Sequence, residues 1–334
     1  MWPKILKYLA LDVLAAAAAL CVFSYFHHVR MLWNLGGGHG SEVVDVVQKP
    51  PQTELPETEQ PETEQVVAPE PDYGQFGERF AEQFAASEDG YISTPDEYKS
   101  RDVHVTLTRS TRDVEGRPIK YYIYDIYVRN IENLFCAYSM TERKLFTDWL
   151  EDVPTAVAAV SGDYCGNTNS AYVVVRNGMV LRKSDTIRYD LCVLGWDGRM
   201  TIMDADEYSY DKLIQLSPYQ AWCFGPILVK DGKAMTYFNH RRDIAGWNPR
   251  VAIGCVEPGH YVFLLVDGGA GGNNGMKLGM TAKILKELGC QNAYNLDGGA
   301  SAHGNFNGQI LRNGHPGSGT PRAIFDIVCV GETE

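Results

Sequence analysis

Two apolar runs in this chain stop at the same tripeptide. "YVFLLVDGG" (residues 261–269) and "AYNLDGG" (residues 293–299) each read as a buried strand that ends in Asp-Gly-Gly. Between them, "LGMTAKILKELG" (residues 278–289) sets Thr281, Ile284, Leu285 and Leu288 on one helical face and stops at Gly289, a residue suited to a C-cap. Strand, helix and strand within about 30 residues is the span of one crossover unit. Such a unit makes its strands run parallel, so Asp267 and Asp297 are predicted at one sheet edge. Ligands usually sit outside that edge. Asp-Gly-Gly alone would mean only a turn; repeated at both ends of one crossover, it marks a candidate site. Its glycines allow close backbone approach and could offer N–H groups to an anion.

Two further insertions carry charge to strand ends. "VSGDYCGNTN" (residues 160–169) follows the apolar "TAVAAV" and sets Asp163 beside glycine. "WNPRVAIG" (residues 247–254) puts Arg250 just ahead of an apolar strand, where a guanidinium near carboxylates suits phosphate binding or charge balance.

Elsewhere strand signals dominate from Val103 onward: "VHVTLTR", "YYIYDIYV", "AYVVVRNGMVL" and "YDLCVLGW". Asn-Gly in "RNGMV" and Asp-Gly in "KDGKA" supply the positive φ of tight hairpins. The expectation is a single mixed α/β (α+β) domain over residues 103–334, with a mixed sheet and one βαβ unit. Residues 73–102 read as a helical lead-in, because Phe76, Phe80 and Phe84 recur every four residues.

The N-terminal part has another character. Residues 5–26, "ILKYLALDVLAAAAALCVFSYF", are long and apolar enough to span a bilayer, with Lys4 and Lys7 at its N-terminal end. No small-x-small cleavage site follows, so residues 1–33 read as an uncleaved single-pass anchor in the cell membrane, with the C-terminal domain extracytoplasmic. Residues 34–72 repeat "PETEQ" and hold Glu42, Asp45, Glu54, Glu57, Glu59, Glu62, Glu64, Glu70 and Asp72 against a single Lys49. Proline and like charge predict a disordered, self-repelling stalk. This stretch carries most of the formal net charge of −12 and leaves the rest near balance, which argues against a nucleic-acid partner. Of eight cysteines, Cys136, Cys165, Cys192, Cys223, Cys255, Cys290 and Cys329 lie outside the anchor. They lack close metal-binding spacing and read as buried thiols.

Taken in order, "SGDYCG…AYVVVRNG", "CFGPILVKDG", "NPRVAIG", "LLVDGG", "LKELGCQNAYNLDGGASA" and "PRAIFDIV" resemble the phosphodiester glycosidase family over residues 103–331. The anchor and acidic stalk are similar to its bacterial membrane-anchored branch, associated with exopolysaccharide assembly. The resemblance implies hydrolysis of a sugar-1-phosphodiester or phosphoglycan at the anomeric carbon. Mapped by motif, the polar site falls on Asp163, Arg250, Asp267, Asn295, Asp297, Gly298, Gly299, Ser301 and Arg322. Asp297, Asp267 and Asp163 are the expected catalytic carboxylates, and the others are expected to bind substrate. The sequence departs from the family pattern at Ser161 (usually Asn), Gly269 (often Arg), Lys277 (often Thr) and Ala300 (a third glycine). These departures keep open a non-catalytic wall or polysaccharide binder. A nucleotide-dependent enzyme is disfavoured, since the glycines follow no G-x-G-x-x-G order. No cofactor or metal is expected; a divalent cation between Asp267 and Asp297 is the lesser alternative. His303 and His315 read as solvated loop residues, and the oligomeric state is open.

Overall fold

The computed structural model describes residues 45–50, 74–167, 172–238, 244–268, 275–312 and 321–333. The expected anchor, residues 34–44 and 51–72 of the expected stalk, Gly269 and His315 lie outside them. Among the described residues, no helix is long and apolar enough to cross a membrane.

Three sheets carry the fold, and every described strand pairing is antiparallel. The largest has nine strands. Its middle runs, in spatial order, Ile227–Lys230, Asn292–Asn295, Arg250–Glu257, His260–Val266, Arg117–Val128 and Val103–Val114. A five-stranded sheet runs Gln309–Arg312, Gly304–Phe306, Ala156–Ser161, Asp326–Gly331 and Leu134–Tyr138. A six-stranded sheet is built on Val174–Arg176, Pro218–Trp222 and Leu191–Gly195. Helices are few: Phe146–Asp152, Tyr210–Gln215 and Leu278–Glu287 are the described α-helices. The protein is therefore sheet-rich, where the sequence suggested mixed α/β.

The expected crossover is real in direction and different in pairing. His260–Val266 and Asn292–Asn295 both pair antiparallel with Arg250–Glu257, which lies between them. They therefore run the same way without touching, and the helix Leu278–Glu287 carries the chain over the intervening strand. Val266 stands opposite Arg250, and Asn295 opposite Ala252. The ends bearing Asp267 and Asp297 thus flank the start of the strand that bears Arg250. That register brings all three charges to one sheet edge.

From Tyr261 onward the strand His260–Val266 is apolar, because both its faces are buried there. Tyr261, Phe263 and Leu265 enter the main core with Tyr124, Val160, Trp222 and Val328, contributed by all three sheets. Val262, Leu264 and Val266 face the helix residues Leu278, Ala282 and Leu285. Buried runs of this kind need no alternation of polar residues. The Asn-Gly and Asp-Gly hairpins form as expected, with φ of 49° and 78° at Asn177 and Gly178, and 50° and 70° at Asp231 and Gly232.

Two stretches differ from expectation. No α-helix forms over residues 74–87: Phe80 N–H bonds Phe76 O, and a 3₁₀ turn follows at Ala81–Gln83. The spacing of the phenylalanines reflects packing instead, with Phe80 edge-on to Tyr127 at 5.2 Å. Within the acidic linker, Asp45–Val46 adds an edge strand to Met179–Arg182. Val47 N–H then bonds Gly178 O, and Lys49 pairs with Glu132 at 2.7 Å.

Candidate active site

A cleft of about 310 Å³ opens at the sheet edge just described. One wall is aromatic, from Tyr164, Tyr172, Tyr189 and Phe224. The polar groups are Asn248, Arg250, Asn295, Asp297 and Arg322, with Gly298 and Gly299 at the turn. A concave site with an apolar wall and a few convergent polar groups is the usual form of a small-ligand pocket.

Arg250 is buried, and its guanidinium is fixed by carbonyl oxygens: Nε donates to Met276 O at 2.9 Å, and Nη2 to Ile244 O at 2.7 Å and to Gly246 O. These carbonyls fix the orientation of the guanidinium at the cleft. Arg322 is exposed at the mouth. Asn295 donates Nδ2 to Gly225 O and Leu296 O, both at 2.9 Å, while its buried Oδ1 has no hydrogen-bond partner among the described residues. An unmet buried acceptor in a cleft is a position for a ligand donor.

Asp297 is held by its backbone. Its N–H donates to Gly162 O at 2.9 Å, and Ser161 Oγ reaches its carbonyl at 3.5 Å. The glycines that follow are required by contact and by conformation. A Cβ on Gly298 would lie 2.6 Å from Pro249 O, and Gly299 takes φ +60°. The expected anion cradle is smaller than predicted, because the turn's amides are largely committed. Gly299 N–H bonds Pro249 O, Ser301 N–H bonds Gly298 O and Ala302 N–H bonds Gly299 O.

The other expected site residues stand outside the cleft lining. Asp267 is partly exposed and accepts from Arg312 Nη1; Arg312 Nη2 also reaches Gly299 O at 3.5 Å, tying the two Asp-Gly-Gly turns together. Ser301 is buried, and its hydroxyl has no hydrogen-bond partner among the described residues. Asp163 lies in a buried ion cluster. Arg176 Nη2 donates to Asp163 Oδ1 at 2.6 Å and to Asp326 Oδ2 at 3.0 Å. Cys223 N–H donates to Asp163 Oδ2 at 3.1 Å. Burial pushes both carboxyls up, Asp326 to about 8. One guanidinium cannot offset two buried carboxylates, so the pair retains a proton near neutrality.

Arg176, Asp326 and Arg312 were missed from the sequence. A signal existed for Asp326, an acid inside the apolar run "AIFDIV", since buried charges demand partners. Arg176 was hidden by its neighbours, Asn177 and Gly178, which read as a turn. Asp163, Cys165 and Asp326 come close enough together to suggest a metal centre. However, the Arg176 guanidinium already supplies the positive charge there, and burial holds the Cys165 thiol well above its usual range. Cys136, Cys165, Cys192, Cys223, Cys255, Cys290 and Cys329 are all free and buried, as expected. His303 is a correction: it is fully buried, stacks on Phe146 at 5.2 Å and bonds Arg322 O through Nε2 at 3.0 Å.

Residues 154–331, more than half of the chain, match the family model described as phosphodiester glycosidase (NAGPA), and the chain belongs to that family. The fold is similar to that of the zebrafish N-acetylglucosamine-1-phosphodiester alpha-N-acetylglucosaminidase catalytic domain, a structure auto-inhibited by its pro-peptide. That likeness has a TM-score of 0.57 at 21% identity and covers 72% of this chain and 87% of the other. A curated relative, the SPbeta prophage-derived uncharacterized protein YomE of Bacillus subtilis (strain 168), is 26% identical over 215 residues, which is 63% of this chain and 33% of that protein. The present chain thus spans about a third of that relative's length.

Proposed function

We propose that this chain hydrolyses a sugar-1-phosphodiester in an extracytoplasmic glycan or glycopolymer. Water adds at the anomeric carbon, the C1–O bond breaks, and the oxygen leaves with the phosphate as a phosphomonoester beside the free sugar. The observation that carries this reading is the convergence of Asp297, Arg250 and Arg322 on one cleft with an aromatic wall. A carboxylate suits an oxocarbenium-like transition state. A phosphate leaving group needs charge compensation more than a proton, and two guanidiniums supply it. Tyr164, Tyr172, Tyr189 and Phe224 offer faces on which a sugar ring can pack.

In this reading Asp297 acts at the anomeric centre, Asn295 Oδ1 receives a substrate hydroxyl or amide N–H, and Asp267 holds the turn through Arg312. Arg143 and Arg188, whose guanidiniums lie 5.1 Å from the Tyr164 ring and 5.2 Å from the Tyr189 ring, extend the positive rim. That rim favours a substrate with several negative charges. The N-terminal apolar run is proposed as the membrane anchor that keeps the domain outside the cytoplasm.

The test uses the purified protein and an aryl or alkyl diester of a sugar 1-phosphate. Release of free sugar that disappears in Asp297→Asn supports the reading. Binding of the diester without release would instead identify a non-catalytic glycan binder.

A further inference from the structure

The buried cluster of Asp163, Arg176 and Asp326 lies behind the cleft, and a stability role alone leaves its geometry unexplained. The segment 161–163 grips Asp297 from both sides: Gly162 O takes its N–H, and Ser161 Oγ reaches its carbonyl. That segment is itself fixed against the strand Asp326–Gly331. Gly162 N–H bonds Asp326 O at 3.0 Å, and Asp163 N–H bonds Asp326 Oδ2 at 3.3 Å. A Cβ on Gly162 would lie 2.2 Å from the same carboxylate oxygen, so the Asp326 side chain occupies the space that glycine leaves. Arg176 then joins the two carboxylates, and its Nη1 is anchored on Ala221 O at 2.6 Å and Val175 O at 2.9 Å. Asp163 also receives Cys223 N–H, which fixes the chain just before the cleft residue Phe224.

We propose that Arg176, Asp326 and Asp163 are positioning residues that set Asp297, and with it the aromatic wall at Phe224, through the segment 161–163. The inference rests on the reading that Asp297 acts at the anomeric carbon. None of the three lines the cleft; they act by fixing the peptide that Asp297 hangs from. Buried ion pairs are often no more stabilising than apolar residues of the same size, so rigid geometry is the property such a cluster can add. The arrangement is directional: one arginine, two acids and a glycine define where the Gly162 carbonyl points. Ser161 contributes the second contact, a hydroxyl that also accepts from His303 N at 3.1 Å.

The test compares the wild-type protein with Asp326→Asn, Arg176→Lys and the milder Ser161→Ala. Two measurements are made: steady-state hydrolysis of a sugar-1-phosphodiester, and hydrogen exchange at the Asp297 amide by NMR. The proposal expects kcat of Asp326→Asn to fall by about 10²-fold with KM little changed, as for a small misplacement of a reacting group. It also expects Asp297 amide protection to drop while amides of the strand His260–Val266 keep theirs. Ser161→Ala should give a smaller loss of kcat in the same direction. Arg176→Lys, which keeps the charge but not the forked donors, should behave like Asp326→Asn. Folded variants with unchanged kcat and unchanged Asp297 protection would overturn the proposal. If the wild type fails to hydrolyse the diester, the functional reading falls, and amide exchange still decides the positioning role.

Discussion

Replacing Arg176 by methionine removes one guanidinium from a site with no solvent access. The side chain is fully buried, and its hydrogen bonds go to Val175 O, Ala221 O, Asp163 and Asp326. Methionine fills a similar volume, so the loss is mainly electrostatic. Breaking a buried pair by removing one partner costs about 3–5 kcal/mol. For a domain of this size each kcal/mol lowers Tm by about 2–4 °C, so a drop of about 6–20 °C is expected. The penalty depends on pH with a defined sign. Asp326 titrates near 8 in the fold because of burial, well above an unfolded aspartate. Its stability contribution is full below the unfolded value and declines as pH rises toward 8. Without Arg176, Asp163 and Asp326 lose the charge that opposes this rise, so the penalty grows from pH 5 to pH 8. Thermal melts at both pH values, read by circular dichroism, measure it. A variant in which Asp163 and Asp326 are also changed to asparagine should recover much of the loss at pH 8. A Tm within about 2 °C of wild type, or an equal penalty at both pH values, would refute the electrostatic account.

Four further outcomes follow from the cleft. Asp297→Asn should lower kcat by about 10³-fold or more while leaving Tm nearly unchanged, measured by free-sugar release and a melt. Gly298→Ala forces its new methyl carbon against Pro249 O and should cost about 1–3 kcal/mol with a loss of activity. Restoring the family's third glycine by Ala300→Gly should instead cost no more than about 1 kcal/mol, because Ala300 is not among the positive-φ residues and needs no glycine. Arg322→Ala, at the exposed mouth, should raise KM for an anionic substrate and weaken the salt dependence of kcat/KM, checked by kinetics across ionic strength.

The sequence carried the local part of this design. Apolar runs ending at Asp267 and Asp297, the helix that closes at Gly289, and the Asn-Gly and Asp-Gly hairpins are legible because each rests on neighbours in the chain. Arg250 was legible as a charge before a strand. What escaped is set by pairing over long separations. The strand Arg250–Glu257 slides between the two Asp-Gly-Gly strands, which no periodicity announces. The same holds for Asp163, whose partner Asp326 lies 163 residues away. Asp267 resembles Asp297 in sequence, yet it pairs with Arg312 and is not among the residues that line the cleft. Lys277 illustrates a departure with a local cost: the helix Leu278–Glu287 starts there without a side-chain cap, a role the family's threonine could fill, and the lysine pairs with Glu115 instead.

The edge strand at Asp45–Val46 changes how the acidic region is wired. The chain is fastened to the domain at residues 45–50 and again from Gly74 onward, so residues 51–73 leave from and return to the same folded body. Both ends of that stretch are held by the domain, so only the residues before Asp45 separate the folded body from the N-terminal apolar run. If the apolar run ending near residue 26 sits in a bilayer, the chain between it and Asp45 has a contour length on the order of 60 Å at ~3.3 Å per residue. Counting the whole acidic region in series would have given on the order of 150 Å by the same measure. Lengthening the repeats "PETEQ" would add residues between two points fastened to the domain, whereas insertions before Asp45 would lengthen the stretch that precedes it.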